Sequence, residues 1–142
     1  MARGVTLPEL TSVLLILGVM ASVVVPPARR LVDRASVAGA ADRLSAMHEV
    51  TRQTAIARGR SARYEVDRAR ARVVLSLRDP AGSWDTLRIV QLGEVQLSVS
   101  QPTVAFSPLG IGSGASNTTV ILARGAAAET LTVSRTGRLR RW

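Results

Sequence analysis

The sequence contains no cysteine and no lysine, and its 142 residues include a single histidine, one phenylalanine, one tyrosine and two tryptophans. Without cysteine there is no disulfide framework, no thiolate nucleophile and no Cys-ligated metal site. The lone His48 leaves no spaced pair for a metal, and without a G-x-S-x-G element a Ser-His-Asp set has no foundation. "GIGSG", at 110–114, is not followed by Lys-Ser or Lys-Thr and so is not a phosphate loop. These absences point away from an enzyme: no catalytic residue, no metal and no cofactor is expected. An aromatic content of 3% also excludes a base-stacking platform of the kind single-strand binders use.

What the chain has in plenty is positive charge. All 19 basic residues are arginine, against 10 acids, giving a net charge of +9 and a pI near 11.8. A codon bias toward arginine accounts for the missing lysine, but the charge remains and favours acidic partners such as nucleic acid or anionic lipid headgroups. Any nucleic-acid binding would be phosphate-directed. Arginines are dense from Arg29 to Arg78, where a solvated helix face explains most of them, and again after Arg124.

The N-terminus carries a long apolar run. Leu10 to Val25 contains no charge, and Val5 to Ala28 as a helix would measure about 36 Å, enough to cross a bilayer. Glu9 stands at the start of this run, where a carboxylate in hydrocarbon costs roughly 2.5–3.5 kcal/mol and needs a partner. Arg3 precedes the run while Arg29, Arg30 and Arg34 follow it, so the positive-inside rule alone would put the C-terminal side in the cytoplasm. A cleaved secretory signal is disfavoured by Pro8 and Glu9 at the front and by Pro26-Pro27 where a small-residue cleavage site belongs.

Beyond the prolines the pattern remains helical. Val37, Ala40, Ala41, Leu44, Met47, Thr51 and Ala55 recur at three/four spacing and form one small-residue stripe, suited to close packing on a sheet, with Gly59 as the stop. Past Gly59 the period becomes two, in short segments separated by turn residues: "SARYEV", "ARVVLSL", "WDTLRIVQL", "EVQLSVS", "PTVAF", "TTVILA", "ETLTVS" and "RLRRW". "RGAAA" reads as a turn, and Gly110 to Asn117 as the most flexible loop. The expected fold class is α+β, a long N-terminal helix packed on an antiparallel β-sheet domain.

"RGVTLPEL" followed by an apolar helix resembles the class III signal of the type IV filament superfamily, the type IV pilins and the pseudopilins of type II secretion. The resemblance implies a pilin-like fold and cleavage by a prepilin peptidase after Gly4, with methylation of the new N-terminal residue, Val5. It implies that the Val5 amine pairs with Glu9 of a neighbouring subunit during filament assembly. Two costly charges in hydrocarbon would become one hydrogen-bonded pair that sets the helix register. A glutamate that merely snorkels to headgroups is the competing reading. Gly18 and Pro26 fall where family members loosen or bend this helix. Val5 in place of the usual phenylalanine and Pro8 in place of an aliphatic residue are departures, and proline is tolerated in a first helical turn. The implied organisation is a leader at 1–4, a transmembrane and filament-core helix at 5–28, a continuing amphipathic helix at 29–59 and an antiparallel β domain at 60–142. The implied location is the bacterial inner membrane, crossed once, with the globular domain in the periplasm or an extracellular filament.

"TRQTAIARGRSARYEVD", "VAFSPLG" and "TLTVSRTGRLR" further resemble the GspH/FimT-type minor pseudopilins. In the FimT branch, which serves DNA uptake, a glycine-arginine-any-arginine ending contacts DNA, and Gly137, Arg138, Leu139 and Arg140 match it. In a strand, Arg138 and Arg140 would share a face at about 6.6 Å spacing, near that of successive phosphates; Arg141 and Arg135 would widen the patch. The alternative is a glycine hairpin turn with a solvated basic edge. The partners implied are other pilin or pseudopilin subunits, the prepilin peptidase, inner-membrane lipid and, through the C-terminal motif, double-stranded DNA.

Overall fold

The computed structural model describes residues 6–114 and 117–142. One helix, α1 (Leu7–Arg58), is followed by β1 (Ala62–Asp67), β2 (Arg72–Arg78), β3 (Trp84–Gln91), β4 (Gln96–Val99), β5 (Thr103–Phe106), β6 (Gly112–Ser113), β7 (Thr118–Arg124), β8 (Ala127–Val133) and β9 (Leu139–Arg141). The chain divides into two compact units, up to Val32 and from Asp33 onward.

The first unit is the apolar part of α1. It is long and apolar enough to cross a membrane, and none of its most apolar window is buried by the rest of the chain. Pro26 and Pro27 lie inside the helix rather than ending it. A proline removes one helical hydrogen bond and normally kinks or breaks a helix, yet here the helix continues through both.

In the second unit the remaining turns of α1 pack on two antiparallel sheets. One has the order β3-β2-β1-β5-β6 and the other β4-β7-β8-β9. The helix buries Val37, Ala40, Ala41, Leu44, Met47, Thr51 and Ala55, which is the stripe read from the sequence, together with His48. Small alanines let the helix approach closely, and the larger volume comes from the sheets. These contribute Tyr64, Val73 and Leu75 from β1 and β2, Phe106 from β5, and Val120, Leu122, Leu131 and Val133 from β7 and β8. Alternation along the strands sends these side chains inward.

The helix ends where Gly59 was expected to stop it. Gly59 takes φ +58°, its N–H donates to the Ile56 carbonyl and the Arg60 N–H to the Ala55 carbonyl. This pair of bonds caps the last free carbonyls with a residue that tolerates the left-handed region. Two strands differ from expectation. Ala127 and Ala128, read as part of a turn, belong to β8 and pair with Arg124 and Ala123. Gly112–Ser113, inside the expected loop, pairs with Phe106 and Ala105 as β6; of that loop, residues 115 and 116 lie outside the described residues. Position 112 admits only glycine, because the backbone passes so close to the turn after β8 that a Cβ would lie 2.6 Å from the Arg135 carbonyl.

Candidate functional site

The first candidate site is the start of α1. Gly4 and Val5 lie outside the described residues. Thr6 precedes the first helical turn, and the Thr6 N–H and hydroxyl donate to Glu9 Oε2 at 3.4 and 3.5 Å. Thr6-Leu7-Pro8-Glu9 is therefore half of a capping box, in which the glutamate reaches back to the N-cap amide. The S/T-x-x-E spacing was the available signal for this contact. Thr11 and Ser12 hydroxyls both donate to the Pro8 carbonyl, at 2.9 and 2.8 Å, so the polar side chains of this turn satisfy its own backbone. Glu9 is exposed and is the only acid in the apolar unit.

The second candidate is the C-terminal hairpin. β8 and β9 pair through Thr132↔Arg140 and Val133↔Leu139, and the turn between them is closed by Ser134 N–H to the Arg138 carbonyl and Gly137 N–H to the Ser134 carbonyl, both 2.9 Å. The Ser134 hydroxyl accepts from the Arg138 N–H at 3.1 Å. Gly137 has φ +81°, and a Cβ there would stand 2.7 Å from the Phe106 ring and 3.3 Å from the Gly112 nitrogen. Gly112 and Gly137 thus meet backbone to backbone where the end of one sheet touches the other, which is a structural reason for this glycine independent of any ligand.

Beneath the turn lies His48. It is 4% exposed; its Nε2 is 2.9 Å from the Gly137 carbonyl and its Nδ1 is 3.3 Å from the Tyr64 hydroxyl. A carbonyl can only accept, so Nε2 carries the proton and neutral Nδ1 accepts from Tyr64. The ring meets Phe106 and Tyr64 edge-on at 5.1 and 5.8 Å. Burial pushes the His48 pKa down, against the opposing pull of the Gly137 carbonyl and Glu49, and burial pushes the Tyr64 hydroxyl upward. Sequence reading weighed His48 only as a metal ligand and as the base of a Ser-His-Asp set, and not as a core residue. Its place on the stripe was legible, since 44, 48, 51 and 55 follow helical spacing.

The arginines of the ending divide between two faces. Arg138 and Arg140 are exposed and border one shallow depression with Thr132, Ser134 and Thr136, and neither forms an ion pair with a described residue. Arg141 is turned the other way. It contacts Asp42 of α1 at 2.6 Å and Glu129 of β8 at 2.8 Å, and those carboxylates, Glu129 first, hold its guanidinium pKa above the ordinary value. The alternation of β9 separates Arg140 from Arg141, so the patch read from the sequence is narrower than a run of three arginines suggests. No cluster of three His, Asp or Glu side chains able to hold a metal occurs among the described residues.

Residues 40–137 match the family model described as type II transport protein GspH. The chain belongs to the GspH family. Among solved structures the fold is similar to the type IV minor pilin FimU of Pseudomonas aeruginosa, with TM-score 0.63 at 18% identity over 75% of this chain and 88% of that one. It is also similar to the minor pseudopilin EpsH of the type 2 secretion system of Vibrio cholerae, with TM-score 0.61 at 16% identity over 78% and 97%. No curated protein matches the chain significantly. The one long apolar helix and the antiparallel sheets are the pilin fold of both structures. The family match begins at Ala40 and ends at Gly137, so Glu9 lies before it and Arg138 and Arg140 after it.

Proposed function

We propose that this GspH-family chain is a minor subunit of a type II secretion pseudopilus or type IV pilus, cleaved after Gly4 by a prepilin peptidase, methylated on Val5 and held in the bacterial inner membrane before assembly. The observation that carries the reading is the apolar helix before Val32. Its large side chains, among them Leu15 at 72% and Val23 at 68% exposure, are uncovered along the whole segment, and a surface of that size demands lipid or other helices. Glu9 is the single acid in it. After cleavage the Val5 amine would stand four residues before Glu9 in the sequence, so each subunit would bring one cation and one anion into the apolar environment, to be matched by its neighbours. Intact-mass measurement of the chain from cells tests the processing step. The expected mass lacks residues 1–4 and gains one methyl group; a chain retaining Met1 to Gly4 contradicts it.

A second reading, DNA binding for uptake, is favoured by one observation: Arg138 and Arg140 stand together, exposed and without an acid, beside three hydroxyl side chains. On this reading the detergent-solubilised full chain binds duplex DNA without sequence preference. Affinity falls with salt at a log-log slope of about −0.9 per phosphate neutralised. Arg138→Glu and Arg140→Glu abolish binding and Arg68→Glu leaves it. Binding that ignores Arg138 and Arg140 removes this reading and leaves the filament role intact.

A further inference from the structure

β3 is the outermost strand of the five-stranded sheet and pairs with β2 on one side only. With 8 residues it is the longest free edge among the described residues, against 4 for β4, 3 for β9 and 2 for β6. Natural domains usually blunt such an edge with proline, lysine, inward charges or a covering element. β3 contains no proline or lysine, and its only charges are Asp85 and Arg88. Leu87 and Ile89 are each 50% exposed.

Alongside this edge a crevice opens between strand and helix. Ala46, Met47 and Val50 of α1 and Val90 of β3 give it an apolar lining, and Arg43 and Arg88 stand at its rim. Neither arginine forms an ion pair with a described residue. The Leu92 N–H donates to the Ala71 carbonyl of the β1–β2 turn at 2.8 Å, so the next pair, Gln91 with Arg72, is turned away from β2, and the Gln91 carbonyl accepts from Arg43 at 3.4 Å. Backbone groups alternate along a strand, so Ile89 is turned the same way and offers its N–H and C=O to an incoming strand.

We propose that the β3 edge and this crevice receive an extended segment of a different filament subunit, with an apolar side chain in the crevice and an acidic side chain between Arg43 and Arg88. Strand addition gives affinity through the main chain, and a pocket for alternate side chains gives specificity. Charge complementarity selects the occupant. Two rim arginines without an acidic partner among the described residues, on a chain carrying +9, call for an acidic partner, whereas a second copy would bring Asp85 as the only acid of its own β3 and a like net charge with it. The proposal rests on the filament-subunit reading above.

The test is site-specific photo-cross-linking of the full chain in cells that build the filament. A benzophenone side chain is placed at Leu87, with Leu14 of the apolar helix as the reference position. At Leu87 the expected product is a cross-link to a second, different subunit. Arg88→Glu, and separately Ile89→Pro, should lower its yield by roughly tenfold while the Leu14 products persist, because an edge proline blocks only the outward donor. Leu87 products that contain only this chain, or no product while Leu14 still cross-links, overturn the docking proposal alone. Yields indifferent to both variants overturn it as well. Loss of products at Leu14 as well as Leu87 overturns the filament reading and the docking proposal with it.

Discussion

His48 joins three parts of the domain through a ring with no charged atom at neutral pH. Its Nε2–H holds the Gly137 carbonyl, which either protonation state can do, and its Nδ1 accepts from the Tyr64 hydroxyl, which only the neutral ring can do. The linkage has a definite sign. The folded pKa is depressed by burial, so the unfolded chain takes up a proton near about 6.5 while the folded chain resists. The contribution is therefore complete above that value and is lost as pH falls from there toward the lower folded pKa. Urea denaturation of the purified chain at pH 7.5 and pH 5.5 should show a drop in stability that His48→Gln reduces. An equal drop in both proteins would place the acid sensitivity elsewhere. Other residues were readable for a plainer reason: Val37, Ala40, Ala41, Leu44, Met47, Thr51 and Ala55 are all buried, because apolar spacing on a helix reports its packed face directly. His48 shared that spacing, and its polar identity hid it.

The C-terminal hairpin is the element on which the structural and functional readings of one sequence stretch diverge. "GRLRR" looks like one basic motif, yet its glycine faces the core, Arg138 and Arg140 face solvent and Arg141 ties β9 to Asp42 and Glu129. Gly137→Ala must place a Cβ against the Phe106 ring at φ +81°, combining left-handed strain with overpacking. The expected loss is about 2–4 kcal/mol in urea denaturation, and any DNA affinity lost in that variant would report a displaced turn rather than a missing contact. A loss under about 0.5 kcal/mol would mean the turn relaxes freely. Elements of regular period were legible in the sequence: the helix, its stop at Gly59 and the longer strands. β6 was not, because a two-residue strand has no period and exists only through its pairing with β5, a tertiary fact. The extension of β8 into Ala127 and Ala128 was hidden in the same way, since alanines carry little strand preference and gain it by pairing with β7.

At the scale of the molecule, the packed domain is a member of the GspH family and the apolar helix is what would make it a filament subunit. The helix was legible from composition alone, and the packed α+β domain from the change of period at Gly59. What its surfaces meet was not legible, because an edge such as β3 has the same alternation whether or not another chain covers it. Glu9 has one observed role, capping Thr6 within its own chain, and one proposed role, neutralising an amine on a neighbour. Glu9→Gln separates them, since glutamine satisfies a capping box as glutamate does but carries no charge. The deciding measurement is the amount of this chain in sheared filaments from cells expressing wild type or Glu9→Gln at matched membrane levels. The account predicts that the variant is cut after Gly4 and stays in the membrane, with incorporation reduced at least about tenfold, since a buried charge left without its partner costs some 3–5 kcal/mol. Incorporation equal to wild type would contradict it and leave Glu9 as a helix cap alone.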